Sequence, residues 1–167
     1  MKLKTLRDLY VHELKDVYSA EKQITKALPK MAKAASHAEL AEGFEEHLAQ
    51  TEQHIERLET ILEGLGESTR GEKCKGMEGL LEEGKKMMEE DAAPEVLDAA
   101  LISAAQRVEH YEIAAYGTVR TYAEMLGEDE AVQLLQQTLD EEIETDEKLT
   151  ELAESAINAE AEMAEDE

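Results

Sequence analysis

Apolar residues recur along this chain at alternating steps of three and four, the spacing that lines one face of an α-helix. Four such stripes can be followed. The first reads Tyr10, Leu14, Val17, Glu21, Ile24, Leu28, Met31, and the second Phe44, His47, Thr51, His54, Leu58, Ile61, Leu65. The third reads Ile102, Ala105, Glu109, Glu112, Tyr116, Val119, Ala123, Leu126; the fourth reads Leu135, Leu139 (or its neighbour Thr138), Glu142, Asp146, Leu149, Ala153. They predict helix A from about Leu3 to Ala35, with Pro29 as a kink or local break. Helix B runs from a Ser36 cap to Leu65 and stops at the Gly64/Gly66 pair. Pro94 opens helix C as a first helical residue, Gly127 closes it after Leu126, and helix D runs from Glu128 to Ile157. Residues 66–93 form a long connection punctuated by Gly66, Gly71, Gly76, Gly79 and Gly84, with a short helix over Met77–Met88. The folded domain is expected over residues 1–157, and residues 158–167 read as an acidic, disordered tail.

Connection length then predicts topology. Helices A and B, and helices C and D, are joined by very short links, so each pair forms an antiparallel hairpin. The connection over residues 66–93 is long enough to cross the whole bundle. Two hairpins joined by one long crossover is the ferritin-like four-helix arrangement, an all-α fold. Composition agrees: aromatics are 4% of 167 residues, Pro occurs twice and Trp is absent, which excludes a sandwich or barrel of short aromatic and β-branched strands. The two halves also resemble one another: Leu48–Leu58 and Leu139–Leu149 have equal spacing, and YSAEKQI around Glu21 matches VEHYEIA around Glu109. This is a weak signal of internal duplication.

Every stripe is apolar at its ends and polar near its middle. An ionised carboxylate taken into a low-dielectric core costs several kcal/mol unless it is compensated. The stripes contain no Lys or Arg, so metal ions are the expected compensation. Carboxylates with imidazole suit iron or manganese, with zinc as a further alternative. Residues at i, i+3 or i, i+4 share a helix face and can grip one centre, which makes Glu109/Glu112 and Glu142/Asp146 candidate ligand pairs. His54 and Glu21 join them, with a solvated seam-edge position as the competing reading for Glu21. His47, two turns from His54, is a lesser ligand candidate whose competing role is an outer hydrogen bond, and Gln50 is a candidate outer group; their roles stay open. Tyr18, Tyr111, Tyr116 and the methionines are read as packing, and His12, His37 and His110 as surface or packing residues. Cys74 is the sole cysteine and is read as an incidental thiol in the connection.

Net charge narrows the partners. Forty-one Asp and Glu against seventeen Lys and Arg give −24, a field that repels nucleic acid and anionic membrane surfaces and attracts cations. No apolar run is long enough to span a bilayer, and the first residues lack the apolar region of a signal peptide. With a single Cys excluding an internal disulfide, a reducing cytoplasm is the expected location. There is no Gly-rich phosphate loop and no credible Cys or Ser triad.

The segments YSAEKQITKALPKMA, HLAQTEQHIERLE, CKGMEGLLEE, DAALISAAQRVEHYEIAAYGT and TLDEEIETDEKLTELA together resemble the YciF-like branch of the ferritin-like proteins. The resemblance covers nearly the whole chain, from Met1 to about Ala156. It implies a ferritin-like bundle, a dinuclear metal centre (iron above all), a homodimer and a role in bacterial stress response. The wider ferritin-like pattern has one Glu on each of two helices and Glu-x-x-His on each of the other two. Carried over, Glu21 and Glu109 match the single glutamates, and His54 and Glu142 match one half each of the paired motifs. Thr51 stands at the Glu position before His54, Thr145 at the His position after Glu142, and Gln50 where relatives can carry Glu. The implied ligand set is therefore the asymmetric group Glu21, His54, Glu109, Glu112, Glu142 and Asp146, with Glu109 and Glu142 as bridging candidates. The expected function is metal binding with Fe(II) oxidation or O2 or peroxide consumption. The alternative is a non-enzymatic, partner-binding stress protein with a partial metal site.

Overall fold

Thr5 opens the first helix with a reciprocal cap: Asp8 N–H donates to Thr5 Oγ1 at 3.1 Å and Thr5 N–H donates to Asp8 Oδ2 at 2.9 Å. That cap sets the start of α1 (Leu6–Ala34) three residues later than the apolar pattern alone predicts. In this computed structural model, which describes residues 3–164, the chain continues as α2 (Ala38–Gly64), α3 (Lys75–Glu89), α4 (Pro94–Leu126) and α5 (Asp129–Leu152). A π-helical turn over Ala153–Ile157 then leads into α6 (Asn158–Glu162). Among the described residues there is no strand. α1 packs along α2 and α4 along α5, while α1–α4 and α2–α5 contacts close the bundle and α3 lies across α4 and α1. This is the expected pair of hairpins joined by a long crossover.

Three local expectations are corrected. α1 runs without a break through Pro29, which is exposed, so solvent can serve the carbonyl that the proline leaves without its helical partner. Ser36 does not cap α2. The N-cap is His37, with no side-chain bond of its own, and the capping is supplied from across the bundle. Asp98 of α4 is buried and accepts from the Ser36 and His37 amides, each at 2.8 Å. The third correction is the tail. Residues 158–162 are helical, because the π turn re-phases the last stripe and keeps Ala153 and Ile157 buried against α4. Residues 165–167, also assigned to that tail, lie outside the described residues, as do residues 1 and 2.

The crossover is held close to the bundle at its glycines. A Cβ at Gly71 would come within 2.9 Å of Lys15 Cβ, and one at Gly76 within 2.7 Å of the Tyr111 ring. Cys74 is not incidental. It is buried at the N-terminus of α3, its N–H donates to Ser19 Oγ at 2.9 Å, and its Sγ lies 3.0 Å from the Tyr111 hydroxyl. Burial pushes its thiol pKa up, which leaves it a packed and capping residue and not a reactive one.

The apolar interior falls into two clusters instead of one. Tyr10, Leu14, Val17, Leu58, Tyr116 and Leu135 belong to the cluster at one end, and Ile24, Leu28, Phe44, Ile102, Leu149 and Ile157 to that at the other. Between them lies a layer of buried Glu, His and Thr.

The dependence of the α1–α2 turn on Asp98 gives a direct test. Asp98→Ala leaves two part-buried amides without their acceptor and is expected to destabilise the protein by about 1–2 kcal/mol, read as a lower urea midpoint at unchanged m-value. A shift within error of zero would show that solvent replaces the carboxylate.

Candidate metal centre

The polar layer forms because the central residue of each stripe keeps its place in the seam while changing its chemistry. Glu21 of α1, His47 and His54 of α2, Glu109 and Glu112 of α4 and Glu142 of α5 are all at most 3% exposed. They fall into two groups whose potential ligand atoms lie within 4.8 Å of one another: Glu21, His54 and Glu142 in one, and His47, Glu109, Glu112 and Glu142 in the other. Glu142 belongs to both.

Five of the six residues expected from the sequence are thus brought together: Glu21, His54, Glu109, Glu112 and Glu142. Asp146 is not among them. The α5 seam steps by three from Glu142 to Thr145, which turns Asp146 aside, where it accepts from Gln106 Nε2 at 3.2 Å and His110 Nε2 at 3.1 Å. The same phase places Thr138, and not Leu139, in the buried stripe. His47, the lesser ligand candidate, stands inside the layer with Nε2 3.1 Å from Glu109 Oε1 and 3.8 Å from Glu142 Oε2. Its signal in the sequence was its position on the seam. Gln50 lies behind His47, with Oε1 3.5 Å from His47 Nδ1.

The His54 imidazole has a defined orientation. His54 Nε2 donates to Glu141 Oε2 at 2.8 Å, and Glu141 is in turn held by both Arg57 Nη atoms at 2.7 and 2.9 Å. That leaves Nδ1 facing inward, 3.2 Å from Glu21 Oε1 and 3.1 Å from Glu142 Oε1. A carboxylate behind an imidazole fixes the ring and raises its basicity, as it does in metal sites. The Arg57–Glu141 pair was not anticipated; Arg57, three residues after His54 on the same helix face, carried the only hint. Tyr116, fully buried, donates its hydroxyl to Glu21 Oε1.

What remains is an excess of acceptors. Both oxygens of Glu112 and Glu142, and one each of Glu21 and Glu109, are buried with no hydrogen-bond partner. Such atoms are rare in folded proteins, and their convergence calls for protons or cations. Burial pushes the carboxyl pKa values of Glu109, Glu112 and Glu142 up, and the neighbouring carboxylates add to the effect. For His54, burial works downward but the Glu142 and Glu21 carboxylates outweigh it, pushing the pKa up to about 10. The donor set, oxygen-rich with two imidazoles and a cluster of unbonded carboxylate oxygens, fits divalent iron or manganese better than a thiophilic metal.

The family model described as "Domain of unknown function (DUF892)" matches residues 5–162. Protein YciF of Escherichia coli (strain K12) is 49% identical over 163 residues, 97% of this chain and 98% of that protein. The crystal structure of the E. coli stress protein YciF superposes with a TM-score of 0.90 at 49% identity, covering 93% of this chain and 99% of the other. The structure of YcfI from Rhodopseudomonas palustris, described as a candidate structural protein, gives a TM-score of 0.86 at 44% identity over 89% of this chain and 95% of that one.

The raised carboxyl pKa values fix a sign for the metal-free protein. Free glutamates ionise near 4.3, so above that pH the folded chain holds protons that the unfolded chain has released, and stability falls as pH rises. His54, raised to about 10, contributes stability present below its ordinary value of 6.5 and lost as pH rises through about 10. Both slopes point the same way, while most surface acids are already ionised across this window. Metal-free protein is therefore expected to melt several degrees higher at about pH 5.5 than at about pH 8. Glu112→Gln is expected to flatten the slope. Calorimetry showing a rise toward pH 8 would contradict the burial of these carboxylates.

Proposed function

The chain belongs to the DUF892 family, a family of the ferritin-like fold, and on that footing we propose that it is a metal-binding stress protein whose mid-bundle layer holds two iron or manganese ions. The observation that carries this reading is the pair of buried ligand groups sharing Glu142, with six carboxylate oxygens left without partners. Glu21 Oε2 and His54 Nδ1 would serve one position, His47 Nε2 with Glu109 and Glu112 the other, and Glu142 both. A bound iron pair supplies one-electron redox chemistry toward O2 or peroxide. The chain's own part is to exclude bulk water from the layer, to hold the His54 ring through Arg57 and Glu141, and to keep a proton on Tyr116 beside Glu21. The relative YciF is called a stress protein, and its 49% identity over nearly the full length of both chains supports the same setting here. Cytoplasmic location and a homodimer belong to this proposal; among the described residues, no helix is long and apolar enough to cross a membrane.

A second reading is favoured by one feature. The half-motifs Thr51-x-x-His54 and Glu142-x-x-Thr145 lack one member each, and the Glu21–His54–Glu142 contacts are partly self-compensating without a metal. On this reading the layer is structural, and YcfI, described as a candidate structural protein, is the relevant relative.

Elemental analysis separates the two. Untagged protein loaded anaerobically with Fe(II) or Mn(II) and then desalted is expected to retain about two ions per chain. His47→Ala should lower this to about one, and Glu142→Gln should lower it further, because the shared carboxylate is lost. Zero metal in the wild type, or unchanged content in Glu142→Gln, would favour the structural layer.

A further inference from the structure

One end of the bundle holds a cavity. The C-terminal half of α1, the N-terminal halves of α2 and α4 and the C-terminal end of α5 enclose a cavity of about 410 Å³. Its walls are the buried side chains Ile24, Leu28, Met31, Phe44, Val108 and Leu149. Its inner end is lined by His47 and Glu109, at 3% and 1% exposure, and Glu109 Oε2 there has no hydrogen-bond partner. Its mouth is bordered by the exposed residues Glu39, Glu42, Glu46, Glu151 and Lys148. A volume in this range, an apolar wall and a few polar groups gathered at one end are the features of a small-molecule site.

The sequence keeps this mouth open at a structural cost. Gly43 lines it from the interior of α2, where a glycine destabilises the helix relative to alanine. No backbone reason requires it, since its φ is not positive. No packing reason requires it either, since a Cβ there would have nothing within 4 Å. A void left in an apolar core is itself destabilising. Two local concessions, a helix-interior glycine and an unfilled space, thus meet at one place, and that place leads to the candidate metal centre.

The charge pattern selects the occupant. Four glutamates stand at the mouth against one lysine, and Lys148 is already paired with Glu144 at 3.0 Å and Glu46 at 3.6 Å. An anionic head group would meet like charge at the mouth, and neither His47 nor Glu109 at the inner end offers it a lysine or arginine. A second copy of the chain would bring glutamates against glutamates. Ordered water needs two to four polar partners per molecule, which the apolar wall does not offer.

We propose that this cavity binds a small apolar organic molecule carrying no negative charge, an alkyl or aryl alcohol or amine, with one end against His47 and Glu109. The inference names the substrate class of the proposed metal centre, and rests on that reading only for what happens after binding.

The test is fluorescence titration of the full-length protein, metal-free and metal-loaded, with the neutral apolar probe N-phenyl-1-naphthylamine. Saturable binding near one probe per chain is expected in both forms. 1-Decanol and decylamine should displace the probe about tenfold more effectively than decanoate. Gly43→Leu, which places a side chain at the mouth, should weaken probe binding by about tenfold or more while leaving metal content unchanged and the melting temperature equal or higher. Gly43→Ala should retain binding. Non-saturable binding, wild-type affinity in Gly43→Leu, or equal competition by decanoate would overturn the proposal. So would a doubling of mass in sedimentation that excludes the probe, since a second copy would then cover the mouth. Absent metal uptake with probe binding intact would overturn the metal reading alone.

Discussion

The free energy of holding carboxylates inside an apolar helical bundle is the constraint on which the rest of this structure depends. Glu21, Glu109, Glu112 and Glu142 are buried to 1% exposure or less at one level of the bundle. Each ionised carboxylate would cost several kcal/mol if left uncompensated, and their mutual repulsion adds to it. Side chains answer part of this demand: the Tyr116 hydroxyl and His54 Nδ1 both bond Glu21 Oε1. Six oxygens remain without a donor. The layer also divides the apolar interior into two clusters, so fold stability is carried at the two ends while chemistry is confined to the middle.

Placing such a layer accurately requires the helix ends to be fixed by something other than the layer. At the α1–α2 turn this is Asp98, which ties the turn to α4 and so sets the height of His47 and His54 relative to Glu109 and Glu112. At the start of α5, Gly127 takes the left-handed φ of +74° that ends α4, and the next stripe begins immediately with Ala131 and Leu135. Outside the layer, Arg57 reaches both Glu141 and Thr138 and thereby joins α2 to α5 behind His54. The support is therefore two-sided, with long-range caps along the helix axes and a charged clamp across the seam.

Helix existence, the hairpin topology and the polar interruption were all legible from the three-and-four spacing, because a seam repeats regardless of what fills it. Phase within one turn was not. Glu142 can be followed on a helix by Thr145 or Asp146, and an acidic residue is the more attractive ligand on chemical grounds. Packing chose Thr145, and Asp146 turned to Gln106 and His110. His47 was undervalued for the opposite reason. Two turns of helix separate it from His54 in sequence, yet their rings lie with centroids 6.4 Å apart, because both side chains lean toward the same level. Asp98 and the Arg57–Glu141 pair join residues far apart in the chain, and periodicity within one helix carries no information about such contacts.

The asymmetry of the centre has a physical consequence. In the symmetric ferritin-like pattern each half of the bundle contributes a histidine, whereas here α2 contributes both and α5 holds Thr145, whose hydroxyl lies 3.5 Å from His47 Nδ1. One imidazole is clamped by a carboxylate that is itself clamped by Arg57; the other rests on the neutral Gln50 and Thr145 at the long distances of 3.5 Å. The His54 side is accordingly the rigid one. The His47 side borders the cavity and can adjust. A loosely supported ligand next to an underfilled apolar space is costly for stability, and such departures from optimal packing tend to persist where function needs them. The missing histidine at Thr145, the open helix position at Gly43 and the lightly held His47 fall on one side of the polar layer, which gives its two sides different work.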